Sequence, residues 1–222
     1  MQKNLLRHIA VMAIALIPSV YLAVKWETIP EVVPVHFDGK FEPDRYGSRN
    51  ELWLMVAIIT GSSLLTYLLL ENLHKIDPKR KGKPLPVVFS RLGTGLAMFF
   101  SALCLLAVLS CTGPLHQVDH LLVPMLGFII AFSGNIMHSL KPNYFAGIRL
   151  PWTLNNEENW RKTHQLSGKL WFATGVAMIA AGLLLPRLHL EYVVLTSILV
   201  LAAIPVAYSY SLHRKLKPTN NH

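Results

Sequence analysis

The chain has 222 residues, 52% of them hydrophobic and 15% charged, with a mean hydropathy of +0.39. That balance excludes an ordinary soluble domain and points to membrane-spanning helices. The net charge of +9 comes from 21 Lys and Arg against 12 Asp and Glu; because the basic residues flank apolar runs, they read as topology signals and not as a footprint for nucleic acid.

The first apolar run covers about Leu5–Val24 and carries Pro18, which a buried span accommodates as a kink. Lys3 and Arg7 precede its uninterrupted part, Ile9–Val24, as in a secretory signal, but cleavage after Ala23 would put Tyr21 where a small residue is wanted, so an uncleaved span is expected. Residues 25–51 follow as a polar, turn-rich connection. Pro30 and Pro34 favour extended backbone, and Asp38-Gly39 is a turn signal. A short strand over Val32–Phe37 is predicted, then a turn and a second bend into the next span. Val33, Val35 and Phe37 would share its apolar face, making the segment an ordered cap over the bundle.

The second run is Leu52–Leu73, and a basic connection over residues 75–84 leads to the third, Leu92–Cys111. Cys104 and Cys111 stand seven residues apart in that run, about 10 Å along a helix and too far for a disulfide. The fourth run is Leu121–Leu140. Asn135 and His138 lie one turn apart near its end, where they are expected to bond the Gly147–Trp152 loop. Residues 141–169 form the second long connection. Pro142 and Asn143 end the span, Gly147 permits a close bend, and Pro151 stops any entering helix. Asn155 and Glu158 resemble a helix-start pair. A helix from Asn156 would align Trp160, His164 and Trp171, with Arg161, Lys162, Gln165 and Lys169 on another face. That predicts an amphipathic inner helix with aromatic anchors and a basic stripe toward membrane lipids. Arg149 has Glu157, Glu158, a backbone carbonyl or a headgroup phosphate as candidate partners.

The fifth and sixth runs, Leu170–Leu185 and Leu190–Tyr210, are joined by the tight turn around Arg187. Ala173, Ala177 and Ala181 recur every four residues, a spacing suited to close helix packing. If the N-terminus is cytoplasmic, sixteen Lys and Arg fall inside and five outside. That asymmetry predicts six spans with both termini cytoplasmic, in one all-α membrane domain over residues 1–222.

Two stretches carry a family resemblance. "IPEVVPVHFDGKFEPDRYGSR" is similar to the DUF1648 motif at Pro30, Pro34, His36, Gly39, Asp44, Ser48 and Arg49, with a longer Gly39–Asp44 spacing than the commonest form. Within residues 134–171, Gly134-Asn135, Lys141-Pro142-Asn143, "GIRLPWTL" and "WRKTH" resemble the SdpI family of bacterial immunity proteins. The resemblance implies a protein of the bacterial cytoplasmic membrane that protects against a secreted peptide toxin. It also implies sensing of that toxin and capture of an ArsR-type repressor at the inner face. On that reading Pro34, His36, Asp38, Gly39, Asp44 and Arg45 serve toxin recognition or order the cap. Asn135, Pro142, Asn143, Gly147, Arg149, Pro151, Trp152, Trp160, Arg161 and His164 form an inner output surface.

Two other classes compete. A small-solute or ion transporter would use internal Asn, His, Ser and Thr, yet the mid-membrane stretches lack Asp, Glu, Lys and Arg. A membrane enzyme or metal site would draw on His36, Asp38 and Asp44 with His116, Asp119, His120 and His189, or on His164. No HExxH, paired CxxC or nucleophile–base motif accompanies them. No catalytic residue, metal or cofactor is therefore expected, and His36 with Asp44 is expected to tie the cap by hydrogen bonds.

Overall fold

The computed structural model describes residues 2–39, 42–78, 86–111 and 119–216. Lys40, most of the basic 75–84 connection and His116 fall outside these residues. Six helices are long and apolar enough to cross a membrane: α1 (Gln2–Lys25), α2 (Glu51–Glu71), α4 (Val87–Ser110), α5 (Asp119–Met137), α7 (Glu157–Leu184) and α8 (Leu190–Leu216). Two short helices, α3 (Leu73–Ile76) and α6 (Pro151–Leu154), sit in the connections. The chain is a multi-pass, all-α membrane protein with one small antiparallel hairpin, β1 (Val32–Phe37) and β2 (Pro43–Ser48).

The helices form two groups of three. In the first, α1, α2 and α4 pack together; in the second, α7 lies between α5 and α8, and α4 meets α5 to join the groups. Pro18, Pro124 and Pro205 lie inside α1, α5 and α8 without ending them. Leu22, Leu52, Val56, Cys104 and Val108 close one end of the first group beneath Ile29 and Val33 of the cap. Both cysteines are buried and unbridged. At the other end Leu70, Leu73, Phe89, Ile136, Met137, Leu140 and Trp160 form a second cluster. The 21 residues of α2 link the two, a rise of about 30 Å. The cap and the 138–156 connection thus occupy opposite ends of the molecule.

The tightest seam lies between α5 and α7. Gly168, Gly175 and Gly182 recur every seven residues on α7, facing Gly134, Gly127 and Pro124 on α5. A Cβ on Gly168 would stand 2.9 Å from the Gly134 carbonyl oxygen, and one on Gly127 would stand 2.6 Å from that of Gly175. Backbone meets backbone, as lipid-embedded helices allow where small residues line the contact. The alanine ladder is not this surface: Ala173 and Ala177 are exposed, because the buried face of α7 follows the glycines.

The expected inner helix also differs. It begins at Glu157 with Asn156, not Asn155, as its cap, the Asn156 side chain accepting from the Asn159 amide at 2.8 Å. It then runs unbroken into the fifth span as one helix of 28 residues, about 42 Å long. Trp160 and His164 do not anchor at a surface: each is 1% exposed, and Trp160 packs in the core.

Candidate functional site

At the cap end, the hairpin is built from the turn and motif residues. Asp38 donates its amide to the Glu42 carbonyl at 2.8 Å, and its carboxylate accepts from the Glu42 amide at 2.8 Å, closing the turn. Pro34 faces Tyr46 and His36 faces Arg45, with register shifts between Pro34 and His36 and between His36 and Phe37. Such irregularities leave extra residues in one strand; here they accommodate the long Gly39–Asp44 spacing and the two prolines, which cannot donate to a ladder. His36 Nδ1 lies 2.6 Å from Asp44 Oδ1, with both side chains largely exposed. That bond ties the two strands, as the sequence suggested.

Arg49 fixes the hairpin to the bundle. Its guanidinium donates to the Trp26 and Ile29 carbonyls, each at 3.3 Å, and lies 4.8 Å from the centre of the Trp26 ring. At the turn, Gly39 lies close enough to α8 that a Cβ there would stand 3.1 Å from a Glu191 carboxylate oxygen. The cap therefore reaches from the first helix group to the second.

At the opposite end, residues 138–156 are held by an interior of satisfied polar groups. Asn143 is fully buried; its oxygen accepts from the Phe145 and Ala146 amides at 2.8 and 2.7 Å, and its nitrogen donates to the Lys141 and Ala146 carbonyls at 3.0 Å. All four of its hydrogen-bonding positions are used. Asp77, also buried, accepts from the Tyr144 amide at 3.2 Å. Thr153 donates to the Ile148 carbonyl at 2.7 Å and accepts from the Leu150 amide at 2.9 Å.

His164 is the pivot of this end. Its Nε2 accepts from the Ile148 amide at 3.0 Å, which leaves Nδ1 to carry the proton and donate to the Trp160 carbonyl at 2.8 Å. The ring stacks on Trp160 with centroids 4.0 Å apart, and Trp160 Nε1 donates to the Leu140 carbonyl at 2.7 Å. Gly147 has φ +108°, and a Cβ there would collide with His164 Nε2. Glycine is required twice over, for the backbone angle and for the space.

The loop is also fastened to α8. Trp152 Nε1 donates to the Ser209 hydroxyl at 3.0 Å, while Asn159 donates to the Ser209 carbonyl at 2.9 Å and accepts from Thr163 at 3.0 Å.

The predicted inner residues thus separate into two kinds. Asn143, Gly147, Trp152, Trp160 and His164 build the loop's interior or its seating. Arg149 and Arg161 face outward. Of the partners considered for Arg149, the structure uses a backbone carbonyl, that of Tyr144 at 2.6 Å. Arg161 lines an open cleft of ≈ 1210 Å³ with His138, Lys141, Pro142, Asn155 and Glu158. Asn135 and His138 do not bond the 147–152 loop as expected; Asn135 is exposed on α5 and His138 is exposed just past its end, and the loop is held by His164 and Thr153 instead.

Asp77, Thr153, Asn159, Thr163 and Ser209 were missed as site residues. The i, i+4, i+8 spacing of Asn159, Thr163 and Ser167 in a helix bound for lipid was the available signal. Among the described residues no group of three or more His, Cys, Asp or Glu converges on a point that would hold a metal ion.

Comparison with known proteins gives two family matches. Residues 139–209, which include the polar loop and its α7–α8 seat, match the SdpI/YfhL protein family. Residues 13–60, which include the hairpin, match a domain of unknown function, DUF1648. The chain is 24% identical over 222 residues to the immunity protein SdpI of Bacillus subtilis (strain 168), covering 97% of this chain and 98% of that protein. An uncharacterized protein of Archaeoglobus fulgidus is 43% identical over 58 residues, 26% of this chain and 31% of its own length. No solved structure matches. The chain is thus a six-helix membrane protein that resembles the SdpI family, matching DUF1648 from within α1 through the hairpin into α2 and the SdpI/YfhL family from the polar loop through α7 into α8.

Proposed function

We propose that this protein is a membrane immunity protein, protecting the bacterium that carries it against a secreted peptide toxin. The observation that carries this is its likeness to the immunity protein SdpI along almost the full length of both chains. The hairpin is the recognition end. It is small, ordered by the His36–Asp44 bond and the Asp38 turn, and presents Arg45 and Asp44 outward. The loop end is the output surface, with Arg149 and Arg161 displayed on a rigid, internally bonded support for an inner partner such as an ArsR-type repressor. At the loop end the buried side chains of Asn143, Thr153 and His164 are spent on backbone groups, an arrangement that suits presentation of a surface.

The test is replacement of the Bacillus subtilis immunity protein by this chain, followed by co-culture with the toxin-producing parent. Survival is expected. Asp44→Ala should reduce survival more than Lys40→Ala at equal membrane levels. Killing of cells that hold normal amounts of the folded wild-type chain would overturn the reading for that toxin class. Arg149→Lys and Arg161→Lys, which keep charge but lose planar bidentate pairing, should weaken co-sedimentation of the inner partner with membranes and leave the melting temperature unchanged. Normal recruitment by both would place the output surface elsewhere.

A further inference from the structure

A second groove lies beside the α5–α7 seam and has no part in the loop's bonding. It measures ≈ 500 Å³, and its floor is the contact of Gly134 with Gly168. Asn135 on α5 and His138 in the turn just past it face Gln165 and Lys169 on α7 across it, and Phe172 closes one end. These four polar residues are exposed and no carboxylate lines the groove.

The polarity of the groove changes along its length. On α7 the outward residues run Arg161, Gln165, Lys169 and then Phe172 and Val176, which are 49% and 47% exposed. Along α5 the outward face changes in the matching sense, from Phe128, 64% exposed, to Asn135 and then His138 just past the helix end. The helices are antiparallel here, since Gly127 meets Gly175 while Gly134 meets Gly168. Polar ends therefore coincide, and so do apolar ends. Depth agrees with this. About 20 helical residues cross the hydrocarbon, and counting back from Leu184, the end of α7, brings the boundary to about Gln165. The polar half of the groove then stands in the headgroup layer, and Phe172 and Val176 stand among acyl chains.

We propose that this groove seats one anionic glycerophospholipid, its phosphate held by the Lys169 ammonium with His138, Asn135 and Gln165 as further hydrogen-bond donors, and an acyl chain lying along Phe172 and Val176. Lys169 is suited to the task because its stem can lie along apolar surface while its ammonium reaches the phosphate. The glycine seam creates the space: larger side chains at 134 and 168 would separate the helices and fill the floor.

The experiment titrates the detergent-purified, full-length protein with dioleoylphosphatidylglycerol or dioleoylphosphatidylcholine and reads adducts by native mass spectrometry. The anionic lipid should bind more tightly. Lys169→Gln should weaken it about fivefold, the effect of one basic residue at an anionic surface. Lys215→Gln, an exposed lysine at the same end of the bundle on α8, should leave it unchanged. Melting curves without added lipid verify that both variants are folded. Equal losses in the two variants would mean diffuse charge attraction, and equal binding of the two lipids would mean no headgroup selection; either overturns the proposal. Glycerol 1-phosphate should not displace the lipid at comparable concentration, and displacement would mean a soluble phosphate site. If Lys169→Gln depletes a dimer and not a lipid adduct, the groove seats a second copy and the lipid assignment fails.

Discussion

Gly147 and His164 illustrate how single residues fix the loop end. The glycine holds a backbone angle that costs other residues about 1–3 kcal/mol, and its missing Cβ leaves room for the imidazole. The histidine in turn accepts the Ile148 amide next to that glycine. Gly147→Ala should therefore destabilise by strain and collision together. His164→Ala should cost about 1–3 kcal/mol by leaving a buried amide unpaired. The double variant should cost less than the sum by about 1 kcal/mol, since removing the ring removes the collision but not the strain. Chemical unfolding in detergent gives all three values, and strict additivity would contradict the geometry. Neither residue needs to touch a partner for its loss to abolish output. Function and stability must be measured together at both positions.

Among the elements, the seam between α5 and α7 is the firmest test of the packing. Gly175→Val would press a branched side chain into the Ala131 amide and the Gly127 carbonyl, a cost of about 1–3 kcal/mol for overpacking. Ala177→Val, on the exposed side of the same helix, should change stability by less than about 0.5 kcal/mol. Thermal melting of the two variants separates these outcomes, and an equal loss would restore the alanine face as the contact. The six spans were legible because twenty-residue apolar runs have few alternatives in water or lipid. The hairpin was legible at Val32–Phe37, where prolines and Asp38-Gly39 punctuate the chain, but β2 contains Pro43 and Gly47 and lacks any strand pattern. The seam was hidden because glycines seven apart are inconspicuous beside alanines four apart, and composition does not say which face of a helix another helix will cover. The role of Asp77 was hidden for a related reason: its partner, the Tyr144 amide, lies 67 residues away.

For the whole molecule, charge is distributed by end. Read along the sequence, sixteen of the 21 Lys and Arg flank the apolar runs on the side of both termini and five on the side of residues 25–51 and Arg187. We expect the loop end to be cytoplasmic by the positive-inside rule. Replacing the buried Cys104 and Cys111 by serine gives a background for single reporters at two exposed positions, Tyr46→Cys on the hairpin and Asn155→Cys on the loop. A membrane-impermeant maleimide applied to intact cells should label the first and spare the second, and the reverse pattern would invert the topology. The glycine seam has a last consequence, for the chain's tolerance of insertions. One added residue turns everything beyond it by about 100° around the helix axis. An insertion between Gly168 and Gly175 would thus carry either the glycines above it or those below it out of the contact, and no choice of inserted residue repairs that. Relatives that keep this architecture can vary freely in the letters on the outer faces of α5 and α7, but they must conserve the number of residues between one glycine and the next.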